Sequence, residues 1–269
     1  MPFTSVDGRT VHYDITGPAD APPVVFANSL GTNFHLWDPQ LPALASWYRV
    51  IRYDMRGHGL SASGSRREYT IAELADDLAG LLDALDVERA SVVGLSIGGV
   101  VAQRFAAEYP ARIERLVLCA TGNRIGTVAT WTERMETAER EGMAPLVEAT
   151  LGRWFTPRMD VERPVEVDGF RQMLSRTPVA GYVGCCAALR DADLNADDAR
   201  IAAPTRVIAG SEDVVTTPEM GAALRDAIPG AELAVIPGAK HLLNVECPDE
   251  VAGLVQTFLE MRTPAGAGG

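Results

Sequence analysis

Cysteine, basic side chains and aromatic rings are all scarce in this chain, and each scarcity excludes something. Only four cysteines stand among its 269 residues. Cys119, Cys185, Cys186 and Cys247 lack the repeated paired spacing of a zinc site, and the neighbours Cys185 and Cys186 bond poorly to each other. They are expected to be reduced, mostly buried thiols. Lys and Arg number 24 against 36 Asp and Glu, a formal net charge of −12, so the global field repels phosphate backbones and anionic lipid headgroups. Nucleic acid and membrane are therefore not expected as partners. No apolar run approaches the roughly 20 residues of a membrane span, and the start, Met1-Pro2-Phe3-Thr4-Ser5-Val6, carries neither the basic nor the apolar segment of a secretory leader. A cytoplasmic location is the expectation. What the chain does have is aliphatic: 47% of residues are hydrophobic while only 6% are aromatic, the composition of a globular protein with a sizeable core.

Short runs rich in Val and Ile alternate with longer helical patterns, the signature of an α/β protein with a mainly parallel sheet flanked by helices. Val24-Val25-Phe26-Ala27, Arg49-Val50-Ile51-Arg52-Tyr53, Ala90-Ser91-Val92-Val93, Leu116-Val117-Leu118-Cys119, Arg206-Val207-Ile208-Ala209 and Leu233-Ala234-Val235-Ile236 are the strand candidates, and their continuous apolarity predicts burial on both faces. Ile71, Leu74, Ala75, Leu78, Leu81, Leu82 and Leu85 recur at helical spacing, with Asp76, Asp77 and Asp83 mainly opposite. Further helices are expected from about Ile97 to Tyr109 and from about Glu250 to Met261. Residues 122–199 break the rhythm: they have helical spacing, Trp131 and Trp154, and no strand triplet. A helical cap inserted into one core, 1–121 with 200–262, accounts for this, placed over the carboxyl ends of the strands where ligands of open α/β sheets bind. A flexible tail is expected at 263–269.

Gly94-Leu95-Ser96-Ile97-Gly98 follows one strand candidate and opens a helix. In that context the pattern is a nucleophile elbow, a sharp turn that needs small neighbours to push the serine hydroxyl out of the sheet. The Ile97 N–H, at the start of the helix, is free to face a developing oxyanion. A serine needs a base and the base an orienting carboxylate. After the strand at 206–209 comes Gly210-Ser211-Glu212-Asp213, and after the strand at 233–236 comes Pro237-Gly238-Ala239-Lys240-His241. The order Ser96, Asp213, His241 is that of an α/β-hydrolase triad. Spacing does not separate Glu212 from Asp213, and Asp213 is taken as the orienter. His12, His35 and His58 lie in an early strand and early loops, where turn packing or surface exposure accounts for them. The loop Asn28-Ser29-Leu30-Gly31 supplies the second oxyanion donor, the Leu30 N–H. Asn28-Ser29 stands where many hydrolases have His-Gly, a difference that backbone donors tolerate.

The whole chain resembles the α/β-hydrolase superfamily. Asn28-Ser29-Leu30-Gly31-Thr32, Asp54-Met55-Arg56-Gly57-His58-Gly59 and Gly94-Leu95-Ser96-Ile97-Gly98-Gly99 are shared widely. Arg124-Ile125-Gly126-Thr127, Trp131-Thr132-Glu133-Arg134 and Leu189-Arg190-Asp191-Ala192-Asp193-Leu194 narrow the resemblance to the 3-oxoadipate enol-lactonases of aromatic catabolism. That resemblance implies hydrolysis of an anionic enol-lactone in the β-ketoadipate pathway, with Ser96, Asp213 and His241 as the triad and no cofactor. Trp131 and Arg134, three apart on a helix, share a face. Arg134 is expected to grip the substrate carboxylate, because guanidinium and carboxylate match in bidentate fashion, with Trp131 and Trp154 lining the pocket. Same-fold alternatives are a carboxylesterase, a carbon–carbon bond hydrolase and a perhydrolase; a ligand-binding receptor that keeps the fold without turnover is the non-enzymatic one.

Overall fold

The computed structural model describes residues 2–260. Met261 and Arg262, assigned above to the core, and the tail expected at 263–269 lie outside the described residues. Eight strands, β1 (Phe3–Val6), β2 (Arg9–Thr16), β3 (Pro23–Ala27), β4 (Arg49–Tyr53), β5 (Ala90–Leu95), β6 (Ile113–Cys119), β7 (Thr205–Gly210) and β8 (Glu232–Ile236), form one sheet in the order β1-β2-β4-β3-β5-β6-β7-β8. The first two pair antiparallel, and from β4 to β8 the sheet is parallel. β3 and β5 lie at its centre, so their side chains are buried on both faces, as near-continuous Val and Ile runs require. β8 departs from the expected two-sided burial: Leu233 and Ala234 are half-buried and Val235 is 43% exposed. It is the edge strand, with β7 as its single neighbour.

The helices are α1 (Leu41–Leu44), α2 (Ile71–Ala84), α3 (Ile97–Glu108), α4 (Val128–Glu141), α5 (Ala144–Trp154), α6 (Pro157–Glu162), α7 (Pro164–Ser175), α8 (Val179–Asp191), α9 (Asn195–Asp198), α10 (Pro218–Ala227), α11 (Leu243–Glu246) and α12 (Pro248–Glu260). A capping box starts α2, with the Thr70 side chain and the Glu73 N–H, and the Glu73 side chain and the Thr70 N–H, bonded reciprocally. Its apolar stripe packs on α3 and the sheet. Asp77, placed by spacing on the polar face, is instead buried and accepts two hydrogen bonds from Arg56, at 2.7 Å each, besides pairing with Arg9. Those two guanidiniums, from the start of β2 and the turn after β4, supply the charge that a buried carboxylate needs.

Between β6 and β7 the chain makes α4 to α9 and, among the described residues, no strand. The helices α4 to α8 form a connected layer, α4 on α5 and α8, and α7 on α5 and α6, whereas α9 packs on the core helices α3 and α10. The layer meets the core by direct backbone contact. A β carbon at Gly181 in α8 would lie 2.0 Å from the Gly57 carbonyl oxygen, and the Tyr69 N–H donates to the Gly184 carbonyl at 3.2 Å. Among the described residues no helix is long and apolar enough to cross a membrane.

The Gly57–Gly181 approach gives the first prediction. Gly181→Ala forces two backbones apart and is expected to lower stability by about 1–3 kcal/mol, read by chemical denaturation. Unchanged stability would contradict the close docking of α8 on the turn after β4.

Candidate active site

Three turns that follow parallel strands meet at one edge of the sheet. Ser96 lies between β5 and α3 at φ 58° and ψ −121°, a backbone conformation that a side-chain-bearing residue keeps only when its surroundings enforce it. The neighbouring glycines make room for it: a β carbon at Gly94 would sit 2.3 Å from the Gly98 carbonyl oxygen, and one at Gly98 would sit 2.3 Å from that of Ala27. The Ser96 hydroxyl lies 2.9 Å from His241 Nε2, and His241 Nδ1 lies 2.8 Å from Asp213 Oδ2. All three residues are buried.

Asp213 accepts from more than the imidazole. Its Oδ1 takes the N–H groups of Val215 at 2.7 Å and Thr216 at 3.1 Å, and its Oδ2 takes the Thr216 hydroxyl at 2.6 Å. Burial alone pushes this carboxyl up, but His241 and the hydrogen bonds from His241, Thr216 and Val215 outweigh it, so its pKa lies below the ordinary carboxylate value. With Asp213 on Nδ1, the neutral imidazole presents the Nε2 lone pair to the serine. Glu212, the other carboxylate after β7, is exposed.

The Leu30 and Ile97 N–H groups make no hydrogen bond among the described residues. Ile97 is the first residue of α3, whose N-terminal partial positive charge favours negative charge at Ser96. The remaining histidines lie elsewhere. His35 is exposed beside Asp38, His12 is buried against Asp54 with Nδ1 at 2.7 Å, and His58 is buried and accepts the Gly31 N–H at 3.0 Å.

A small cavity of ≈ 50 Å³ is bounded by Ser96, His241, Leu30, Trp131 and Trp154, with Arg134 and Arg153 also on its wall. It shares Ile125, Trp131, Arg134, Arg153 and Val215 with a larger cavity of ≈ 380 Å³. The structure thus brings Arg134 and both tryptophans to the triad. Trp131 is held there by its indole N–H, which donates to the Ile125 carbonyl at 2.6 Å. Arg134 lies over the Trp131 ring, 5.4 Å from its centroid, and donates to Thr150 Oγ1 at 2.9 Å. Neither Arg134 nor Arg153 has a carboxylate partner among the described residues. Burial, and then the like charge of Arg134, push the Arg153 guanidinium below its ordinary pKa. Among the described residues, Glu133 is the one carboxylate on the wall of either cavity.

Sequence reasoning missed Arg153, Thr216 and Glu246. Arg153 adjoins Trp154, and its position in the last turn of α5 was the available signal. Glu246 has no motif around it, yet it is buried and accepts the Thr156 N–H and hydroxyl at 2.7 Å each and the Lys240 N–H at 2.6 Å. It fastens the α5–α6 connection to the residue before His241, and the Leu242 N–H bonds the Trp154 carbonyl at 3.1 Å beside it.

Comparison with known proteins agrees with this fold. Residues 22–248 match the family model described as alpha/beta hydrolase fold. The chain is 37% identical to 3-oxoadipate enol-lactonase 1 of Acinetobacter baylyi, over 96% of each chain. It is 30% identical to a putative carbamate hydrolase RutD of a Caulobacter species, covering 96% of this chain and 98% of that one. Among solved structures, the enol-lactonase from Burkholderia xenovorans LB400 superposes with a TM-score of 0.94 at 40% identity, over 97% of this chain and 100% of that one. An elbow serine within hydrogen-bond reach of a histidine on an eight-stranded, mainly parallel sheet, matched along most of its length by that model, places the chain in the α/β-hydrolase fold family.

Proposed function

We propose that this enzyme hydrolyses a small anionic enol-lactone of the 3-oxoadipate type, by way of an acyl-enzyme on Ser96. The observation that carries the reading is the pair of guanidiniums, Arg134 and Arg153, on the cavity that holds Ser96 and His241. In a protein of net charge −12, two cations left without carboxylate partners beside a nucleophile are a site for an anionic substrate. The likeness to proteins named 3-oxoadipate enol-lactonases supplies the ring.

In this mechanism the Ser96 oxygen attacks the lactone carbonyl while His241 Nε2 takes its proton. The Leu30 and Ile97 N–H groups hold the oxyanion as the carbonyl becomes tetrahedral. Collapse breaks the ring C–O bond. The leaving oxygen departs as an enolate, a better leaving group than an alkoxide, receives the proton from His241, and the enol tautomerises to the ketone. Because the leaving group belongs to the same molecule, nothing is released at this stage. Water then attacks the acyl-enzyme with His241 again as base, giving the 3-oxo diacid and free Ser96. Asp213 holds the imidazole tautomer and balances the imidazolium. Arg134 and Arg153 hold the carboxylate already on the substrate, and Trp131 and Trp154 wall the ring.

Three outcomes test the reading. Ser96→Ala is expected to fold normally and to lose activity by a factor on the order of 10⁴ or more; comparable lactone turnover by that variant contradicts the triad. Arg134→Ala and Arg153→Ala are each expected to reduce kcat/KM for the anionic lactone by about tenfold or more, while changing little for a neutral aryl ester. Side-by-side assays of the enol-lactone, the aryl ester, a carbamate and a carbon–carbon cleavage substrate check this, and a carbamate preferred over the lactone overturns the substrate assignment. Since Asp213 is held below the usual carboxylate range, it stays ionised as the solution becomes acidic. The acid limb of kcat/KM is therefore expected to follow one protonation, that of an imidazole, and a limb of second order in protons contradicts it.

A further inference from the structure

Gly31 follows Leu30 in the loop after β3, and its peptide groups are gripped from two sides. Its N–H donates to His58 Nε2 at 3.0 Å. That makes Nε2 the lone-pair nitrogen, so Nδ1 carries the proton and donates to the Arg56 carbonyl at 3.2 Å. A single tautomer satisfies both contacts, and the ring is 1% exposed. On the other side the Gly31 carbonyl accepts from the hydroxyl of Thr177, at 3.2 Å, a residue between α7 and α8 that also reaches the Met173 carbonyl at 3.2 Å. Gly31 itself sits at φ +79°, and a β carbon there would meet Leu174 Cδ1 at 2.5 Å. The same loop is closed by the Thr32 hydroxyl on the Ser29 carbonyl at 2.8 Å and tied to the sheet by Asn28 Nδ2 on the Tyr53 carbonyl at 2.7 Å.

Neither grip touches the reacting atoms: His58 holds the Leu30–Gly31 peptide, next to the one that carries the Leu30 N–H, and Thr177 holds the Gly31–Thr32 peptide that follows it. We infer that His58 from the core and Thr177 from the helical layer are positioning residues that clamp the two peptide groups flanking Gly31 and thereby aim the Leu30 N–H at the substrate oxyanion. The helical layer then does more than enclose the substrate, because one of its hydroxyls helps to form the oxyanion hole. His58 is itself held by its surroundings. Arg56 is fixed by Asp77, and the intervening Gly57 lies against Gly181 of α8. The inference rests on the Leu30 N–H being an oxyanion donor, as in the proposed mechanism.

The test compares His58→Gln, His58→Leu, Thr177→Val and the double variant His58→Leu/Thr177→Val, with Ser96→Ala beside them. Substrate turnover is measured with the enol-lactone and a neutral aryl ester, and inhibition with phenylboronic acid, whose tetrahedral adduct on Ser96 uses the oxyanion hole. Losing a well-aimed oxyanion donor costs about 10²–10³ in kcat. His58→Leu is expected to lower kcat by about 10–10²-fold on both substrates, since it misplaces that donor without deleting it, with KM within about twofold. Phenylboronic acid should weaken in parallel. His58→Gln, which offers an amide oxygen near the Nε2 position, should restore most of kcat. Thr177→Val should lower kcat several-fold, and the double variant should lose less than the product of the single losses, because both residues hold the same glycine. A folded His58→Leu with wild-type kcat and boronic acid affinity overturns the clamp. Should His58→Leu fail to fold, an unchanged Thr177→Val overturns it instead. An active Ser96→Ala overturns the triad on which the inference rests; an inactive Ser96→Ala with unaltered clamp variants overturns the clamp alone.

Discussion

The strained backbone of Ser96 is the constraint on which the rest of the site depends. A residue with a side chain held at φ 58° and ψ −121° costs about 1–3 kcal/mol, and the surrounding structure repays it. The buried strands β3, β5 and β6 fix one end of the turn and α3 the other. Gly94 and Gly98 let the two approach until only hydrogen fits between them. The Thr121 hydroxyl donates to the Ser96 carbonyl at 2.8 Å, closing the turn from the end of β6. Once the serine is forced out of the sheet, His241 and Asp213 need only stand at the ends of later parallel strands to reach it.

Charge is organised on the same logic. Most of the chain's arginines are spent on its excess of carboxylates, in pairs such as Arg52 with Asp14 and Arg112 with Asp83. Arg134 and Arg153 are withheld from such pairing and lean on Trp131, Thr150 and each other's vicinity. The overall acidity repels large polyanions at a distance; on the proposed reading the local pair holds the carboxylate of a small anionic substrate.

The elements that carry this chemistry were unequally legible in the sequence. The central strands were readable because burial on both faces leaves an unbroken apolar run, and the elbow because its glycines have one physical use. β8 was misread as two-sided because an edge strand can carry the same residues as a central one. Asp77 was misread because helical spacing gives a face and not what that face meets; here it meets Arg56 and Arg9. Trp131, Arg134 and Trp154 were within reach, since helical spacing sets the first two together. Glu246, His58 and Thr177 were not, because their roles come from contacts between segments far apart in the chain; Arg153 had only its place beside Trp154 to mark it. The Glu246 carboxylate joins Thr156 to Lys240, and no local pattern records such a tie.

In the proposed mechanism the lactone carbonyl is transferred to Ser96 with its leaving group still attached. Rapid acid quenching of the wild-type enzyme during turnover of the enol-lactone, followed by peptide mass spectrometry, tests this most directly. The peptide containing Ser96 is expected to gain the mass of the intact lactone and to lose it as product appears. Full lactone turnover with Ser96 unmodified at every quench time, and undiminished in Ser96→Ala, would contradict it.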